Sequence, residues 1–177
     1  MKDKLLIAGL GNPGDKYKHT RHNIGFQILD SFVDKLNLSF KPDKKTPYAE
    51  YILDGQIIYF IKPFEFMNLS GNAVLDYKRK KGIQESKILI IHDEIDFVFG
   101  KCKMKIGGGH AGHNGLRDII DKIGTNDFHR LRVGVGKSTE IEVADFVLSK
   151  FTAEEVKSLD EITKLCITKI EDWIRLS

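Results

Sequence analysis

The sequence predicts an α/β fold: a single domain on a mixed, twisted β-sheet flanked by α-helices on both faces. Three observations carry this. Short apolar runs alternate with runs of helical period, the pattern of strands interleaved with crossover helices. A turn-favouring Asp54-Gly55 pair joins two β-rich segments, so the sheet contains a hairpin and is not purely parallel. A chain of 177 residues is also long enough to bury one core without a disulfide or metal staple.

Residues 4–10 form a short apolar run and read as a buried strand. Asp15 through His22 has no apolar face, so the next helix begins near Asn23, where Ile24, Ile28, Leu29, Phe32, Val33 and Leu36 take up helical spacing. The hairpin spans residues 50–62, with Ile57, Ile58, Tyr59 and Phe60 after its turn. Residues 72–81 make a short helix whose basic end complements the helix dipole. Residues 87–92 are a second apolar strand. Residues 101–106 alternate Lys with Cys, Met and Ile, a half-buried strand with one charged face. A helix over 116–123 and a strand over 130–136 follow. Residues 152–176 form a C-terminal amphipathic helix, with Thr152 as N-cap and Glu155 completing a capping box.

Composition narrows the function classes. At 41% hydrophobic and 30% charged residues, with 16 Gly and 4 Pro, the chain is neither disordered nor collagen-like nor a mucin stalk. Its apolar runs fall far short of the roughly 20 residues a membrane span needs. The N-terminal Met1-Lys2-Asp3-Lys4 leads into no long apolar region and no cleavage site, so no signal peptide is expected. Cys102 and Cys166 sit in unrelated contexts without metal-ligand spacing, which predicts a reducing compartment and no disulfide. The net charge is only +3, but Lys101, Lys103 and Lys105 share one strand face. A local positive face suits a specific anionic ligand better than bulk nucleic-acid packaging, although each Lys cluster alone also fits a solvated surface.

Several motifs bear on chemistry. Gly9-Leu10-Gly11-Asn12-Pro13-Gly14 matches a dinucleotide-binding pattern, with Asp34 downstream. Pro13 and the polar stretch after it keep a helix N-terminus from opening inside the motif, so a tight turn aiming Asn12, Tyr17 and His22 into one space fits better. His110 and His113, with His92 and Asp93, have the donor types for a metal. Their setting, Gly107 to Gly115, is a glycine-rich loop better suited to close backbone approach to a ligand. There is no nucleophile elbow, and Cys102 falls on the apolar face of its strand. A hydrolase built from these residues would use water, with a His as base near neutral pH. Asp93, at the carboxyl end of a strand, is placed to orient such a His, and equally to cap a turn. Asn12, Asn68 and Asn114 offer uncharged donors and acceptors for a peptide group or an oxyanion; each alone also fits a turn.

Together these segments resemble one family closely, the bacterial-type peptidyl-tRNA hydrolases. The matching stretches are Gly9 to Gly14, Tyr17, Thr20-Arg21-His22-Asn23-Ile24-Gly25, Lys62-Pro63 and Phe66-Met67-Asn68-Leu69-Ser70-Gly71. His92-Asp93-Glu94-Ile95-Asp96, the glycine loop through Leu116 with Arg117-Asp118-Ile119, and Phe128 to Gly136 complete the set. They occur in family order over residues 5–151, and the C-terminal helix is similar only in kind. Departures are Phe64-Glu65, Val98-Phe99 and a short loop at Lys137-Ser138, which bear on the groove rim. The resemblance implies hydrolysis of the ester joining a peptide to the 3′ end of tRNA, by a cytoplasmic monomer that needs no metal and no cofactor. By position, it makes His22 the base and Asp93 its partner. Asn12, Asn68 and Asn114 would position peptide, water and tRNA end. Tyr17, Phe66 and Met67 would line the groove, with His113 near the 3′ end. Lys105 and Arg132, assisted by Lys103, would grip the 5′ phosphate.

Overall fold

Alternation along each central strand sorts side chains into two cores, and this is visible in a computed structural model that describes residues 3–177. In β1 (Lys4–Gly9), Leu5 and Ile7 enter one core while Leu6 and Ala8 enter the other. A strand buried on both faces needs an unbroken apolar run, which is what the sequence shows. The sheet is completed by β2 (Tyr48–Leu53), β3 (Gln56–Ile61), β4 (Ile88–Glu94), β5 (Cys102–Ile106) and β6 (His129–Gly134). Their spatial order is β2-β3-β1-β4-β6-β5. β3, β1, β4 and β6 are parallel; the edge strands β2 and β5 are antiparallel to their neighbours. Helices α1 (Ile24–Lys35) and, later in the chain, α5 (Ala153–Leu176) cover one face. Helices α2 (Ser70–Lys81) and α3 (Asn114–Ile123) cover the other. The expected mixed sheet between two helical layers is the observed one.

Local signals acted as expected. Asp54 and Gly55 take φ of 47° and 85°, the left-handed pair a two-residue hairpin needs. Thr152 accepts from the Glu155 amide, and Glu155 reaches back to the Thr152 amide, at the start of α5. Some boundaries moved. β4 runs on to Glu94, so Asp93 lies inside the strand, and α3 begins at Asn114 with His113 as its cap. Helix α4 (Val143–Val147) and the 3-10 turns Arg21–Asn23 and Met67–Leu69 are too short for periodicity to reveal.

The cysteines require a correction. They are free thiols, but their contexts are not unrelated: Cys102 Sγ on β5 and Cys166 Sγ on α5 lie 2.9 Å apart in the core. Nothing in linear spacing shows which helix covers which strand. Among the described residues no helix is long and apolar enough to cross a membrane.

One close approach sets the site. A Cβ on Gly25 would lie 2.4 Å from the Ile91 carbonyl oxygen and 2.6 Å from the Leu10 amide nitrogen. Only glycine lets the first turn of α1 sit this near β1 and β4. The 3-10 turn bearing His22 is thereby held over the carboxyl ends of these strands, where the chain switches direction across the sheet.

Candidate active site

Asp93 is 3% exposed and lies between two imidazoles. His22 Nδ1 is 2.9 and 3.0 Å from its two carboxylate oxygens, and His113 Nε2 is 2.8 Å from Oδ1. The protons can be placed. His113 Nδ1 accepts from the Gly115 and Leu116 amides at 3.1 and 3.3 Å, so its proton sits on Nε2 and points at Asp93. His22 Nδ1 donates to the carboxylate, which leaves its Nε2 lone pair free. Burial alone would raise the Asp93 pKa, but His22 and His113 outweigh it and hold the carboxyl well below its usual range.

The residues beside this trio are fixed in place. Arg21, next to His22, is 5% exposed. It pairs with Glu155 at 2.6 Å, bonds Ser149 Oγ at 2.9 Å and donates to the Lys150 carbonyl. Asn12 and Asn23 bond reciprocally, Asn12 N to Asn23 Oδ1 at 2.8 Å and Asn23 Nδ2 to Asn12 O at 2.9 Å. Asn12 Oδ1 accepts from the Met67 amide at 2.7 Å, which fixes the side chain and leaves its amide NH2 as the donor for a ligand. Sequence reasoning missed Asn23, whose flanking position gives no hint of this lock.

A cavity of about 460 Å³ opens on the pair, lined by His22, Asp93, Lys105, His113, Asn114 and Arg132 among others. The other expected residues lie outside that lining. Tyr17 and Phe66 meet edge-to-face at 6.3 Å, and Phe66 is half exposed. Asn68 is exposed on its 3-10 turn. Met67 departs from a groove-lining role: it is 4% exposed and packs in the α2/α3 core. Val143, Ala144 and Val147 of the unforeseen α4 line the cavity instead.

The basic face is real and denser than the Lys pattern suggested. In the β5–β6 register Lys103 faces Arg132 and Lys105 faces Arg130. Like charges opposed across strands are destabilising, a cost that an anion bound between them would relieve. Glu94 answers one of them, accepting from Arg132 Nε at 3.0 Å.

The metal set weighed from sequence does not assemble as such. The donors that converge are His22, Asp93 and His113, with ligand atoms within 4.8 Å of one another. Both imidazole nitrogens facing Asp93 carry protons, and moving the His113 proton would break its cap on α3. The donor chemistry therefore favours a hydrogen-bonded trio over a cation.

His92 is the remaining buried histidine. Its Nδ1 bonds the Asp93 carbonyl at 2.8 Å. Burial pushes its pKa down to about 3, and His113 acts in the same direction. The unfolded chain takes up this proton near pH 6.5, so the stability it contributes is complete above that pH and declines between about 6.5 and 3. The expected slope from this one proton is about 1.4 kcal/mol per pH unit. Urea unfolding across that window should show a shallower pH dependence for His92→Gln than for wild type; parallel curves would refute the assignment.

Known proteins share this sequence and fold over nearly the full length. A family model described as peptidyl-tRNA hydrolase matches residues 6–177, so the likeness includes α5 and exceeds the span of the motifs. Peptidyl-tRNA hydrolase of Rickettsia conorii is 46% identical over 166 residues, covering 90% of this chain and 89% of that protein. The enzyme of that name from Rickettsia felis is 48% identical over 157 residues, covering 87% and 84%. The crystal structure of peptidyl-tRNA hydrolase from Acinetobacter baumannii aligns with a TM-score of 0.91 at 36% identity, over 99% of this chain and 90% of that one. With the sheet, the helical layers and the sequence agreeing over nearly the whole length, the chain belongs to the peptidyl-tRNA hydrolase family.

Proposed function

We infer that this chain hydrolyses the ester between a peptide and the 3′ end of tRNA, with His22 as general base and Asp93 as its orienting partner. The observation that carries this is the Nδ1–Asp93 bond, which leaves His22 Nε2 unprotonated at the cavity wall. A water on Nε2 loses its proton as it attacks the ester carbonyl. Asp93 stabilises the imidazolium that forms. Collapse of the tetrahedral intermediate breaks the bond to the ribose oxygen, which takes the proton from Nε2. The products are a free carboxylic acid and a free tRNA 3′ end. Asn12 through its amide NH2, with Asn68 and Asn114, supplies neutral hydrogen bonds to peptide and intermediate. His113 shares Asp93 and fixes the carboxylate plane.

The direct test is turnover of an N-acylated aminoacyl-tRNA in the presence of EDTA. Release of free tRNA at an undiminished rate is expected. No release refutes the activity, and loss of release only with chelator refutes the metal-free mechanism.

Lys105 and Arg132, with Lys103 beside them, form the site for the tRNA 5′ phosphate in this reading. Arg132 keeps its two terminal nitrogens free of the Glu94 pair, so a phosphate can still be met by a fork. The 5′ phosphate is not a reacting group, so loss of this contact should raise KM more than it lowers kcat. A charge-assisted contact is worth on the order of 1.5–3 kcal/mol, so Lys105→Ala or Arg132→Ala should cost about 10- to 150-fold in kcat/KM at low salt, and less at high salt. Removing the 5′ phosphate should slow the wild type and hardly affect the double variant. Equal slowing of both would show that the phosphate site is elsewhere.

A further inference from the structure

Arg130 is a charged cavity residue used by neither the hydrolytic pair nor the phosphate contact. It is 3% exposed on β6, and its guanidinium lies 5.1 Å over the Phe128 ring. Its partners are two consecutive main-chain carbonyls: Nη1 donates to Gly109 at 2.6 Å and Nη2 to Gly108 at 2.5 Å. Burial, and next the charge of Arg132, push its pKa down from the usual guanidinium range. A buried charge without a carboxylate partner is costly, and an apolar residue would pack at least as well. A planar fork, however, can hold two adjacent carbonyls at once, which an apolar side chain cannot do.

The gripped segment needs holding. Gly107, Gly108 and Gly112 have φ between 70° and 91°, a backbone with little preference of its own, and Ala111 is held at 48°. Asn126 Nδ2 adds a second bond to the Gly108 carbonyl at 2.9 Å. Lys105 also packs on Gly108: a Cβ there would meet Lys105 Cε and Nζ at 2.7 Å. Gly108 is thus a platform, with Arg130 bonded to its carbonyl and the Lys105 ammonium laid across its α-carbon.

We propose that Arg130 is a positioning residue that fixes the Gly108–Gly109 backbone, and that this backbone sets where the Lys105 ammonium meets the substrate's phosphate. The inference rests on the phosphate reading of Lys105 given above. It assigns Arg130 a part in selecting substrates with a 5′-phosphorylated end, through Lys105 and not by contact.

The test is the ratio of kcat/KM for 5′-phosphorylated over dephosphorylated peptidyl-tRNA, in which any loss of folded enzyme cancels. The wild type should show a ratio of about ten or more. Arg130→Met should lower it by about the factor that Lys105→Ala does, leaving only the Arg132 share. Arg130→Lys keeps the charge but not the fork, and should lose the Lys105 share of the preference too. Gly108→Ala should do the same with Arg130 intact, because the new methyl displaces Lys105. A wild-type ratio near one overturns the phosphate reading and this inference with it. A high wild-type ratio that survives in Arg130→Met overturns the inference alone. If Arg130→Met does not fold, Arg130→Lys decides: full retention of the ratio would mean that charge alone acts, and the positioning role falls.

Discussion

His22→Ala lowers kcat/KM for peptidyl-tRNA by roughly 10²- to 10⁴-fold while the protein stays folded. The ring is mostly enclosed, but its polar contact is with a single group, Asp93. Removing it leaves the Gly25 approach and the Arg21 anchors in place, so the turn should hold its shape. What disappears is the one nitrogen of the trio with an uncommitted lone pair. His113 cannot replace it, because its Nδ1 is occupied by the amides that start α3. Single-turnover hydrolysis on a variant with unchanged circular dichroism measures the effect. Near-normal turnover would remove His22 from the mechanism.

Asp93→Asn should cost on the order of 10²- to 10⁴-fold as well, for a reason set by proton count. The carboxylate accepts from two N–H groups. Oδ1 is shared by His22 and His113, and Oδ2 serves His22 alone. An amide offers one oxygen and one NH2. With the oxygen kept between the two rings, the NH2 faces His22 Nδ1, and two donors then oppose each other. His22 relieves this by moving its proton to Nε2, which is the atom that must be free. The variant should therefore bind deacylated tRNA with nearly wild-type affinity while kcat collapses. Comparing kcat–pH profiles with tRNA affinities checks it: a profile and kcat matching wild type would break the link between Asp93 and His22.

The sequence and the structure differ in informative places. The strands before Gly9 and Asp93 were legible because burial on both faces leaves an unbroken apolar run. The hairpin was legible because Asp54-Gly55 accepts left-handed backbone at low cost. His22 and Asp93 could be paired only through family resemblance, since their contact bridges 71 positions of sequence. The sharing of Asp93 with His113 was not legible at all. It depends on how α3 begins, and the cap there is a histidine instead of the usual Ser, Thr, Asp or Asn. Arg130 was hidden by its own pattern. In His129-Arg130-Leu131-Arg132-Val133 the arginines alternate with apolar residues and read as the solvent side of a strand. That side is roofed by a glycine loop, and no period announces a roof.

The anchors of Arg21 have a consequence for the order in which the molecule is completed. Its side-chain partners Ser149 and Glu155 lie 128 and 134 positions further along the chain. Contacts of such separation form late, because the long intervening loop must close before they can stabilise anything. Glu155 also bonds the Thr152 amide at the head of α5, so the anchor is complete only when that helix has started. Arg21 is thus made well before the residues that anchor it. Until that helix has started, Arg21 lacks its carboxylate partner, and the turn is held from the Gly25 and Asn23 side alone. The last anchor beside His22 is therefore expected to close late in folding, after the sheet that carries Asp93 has formed.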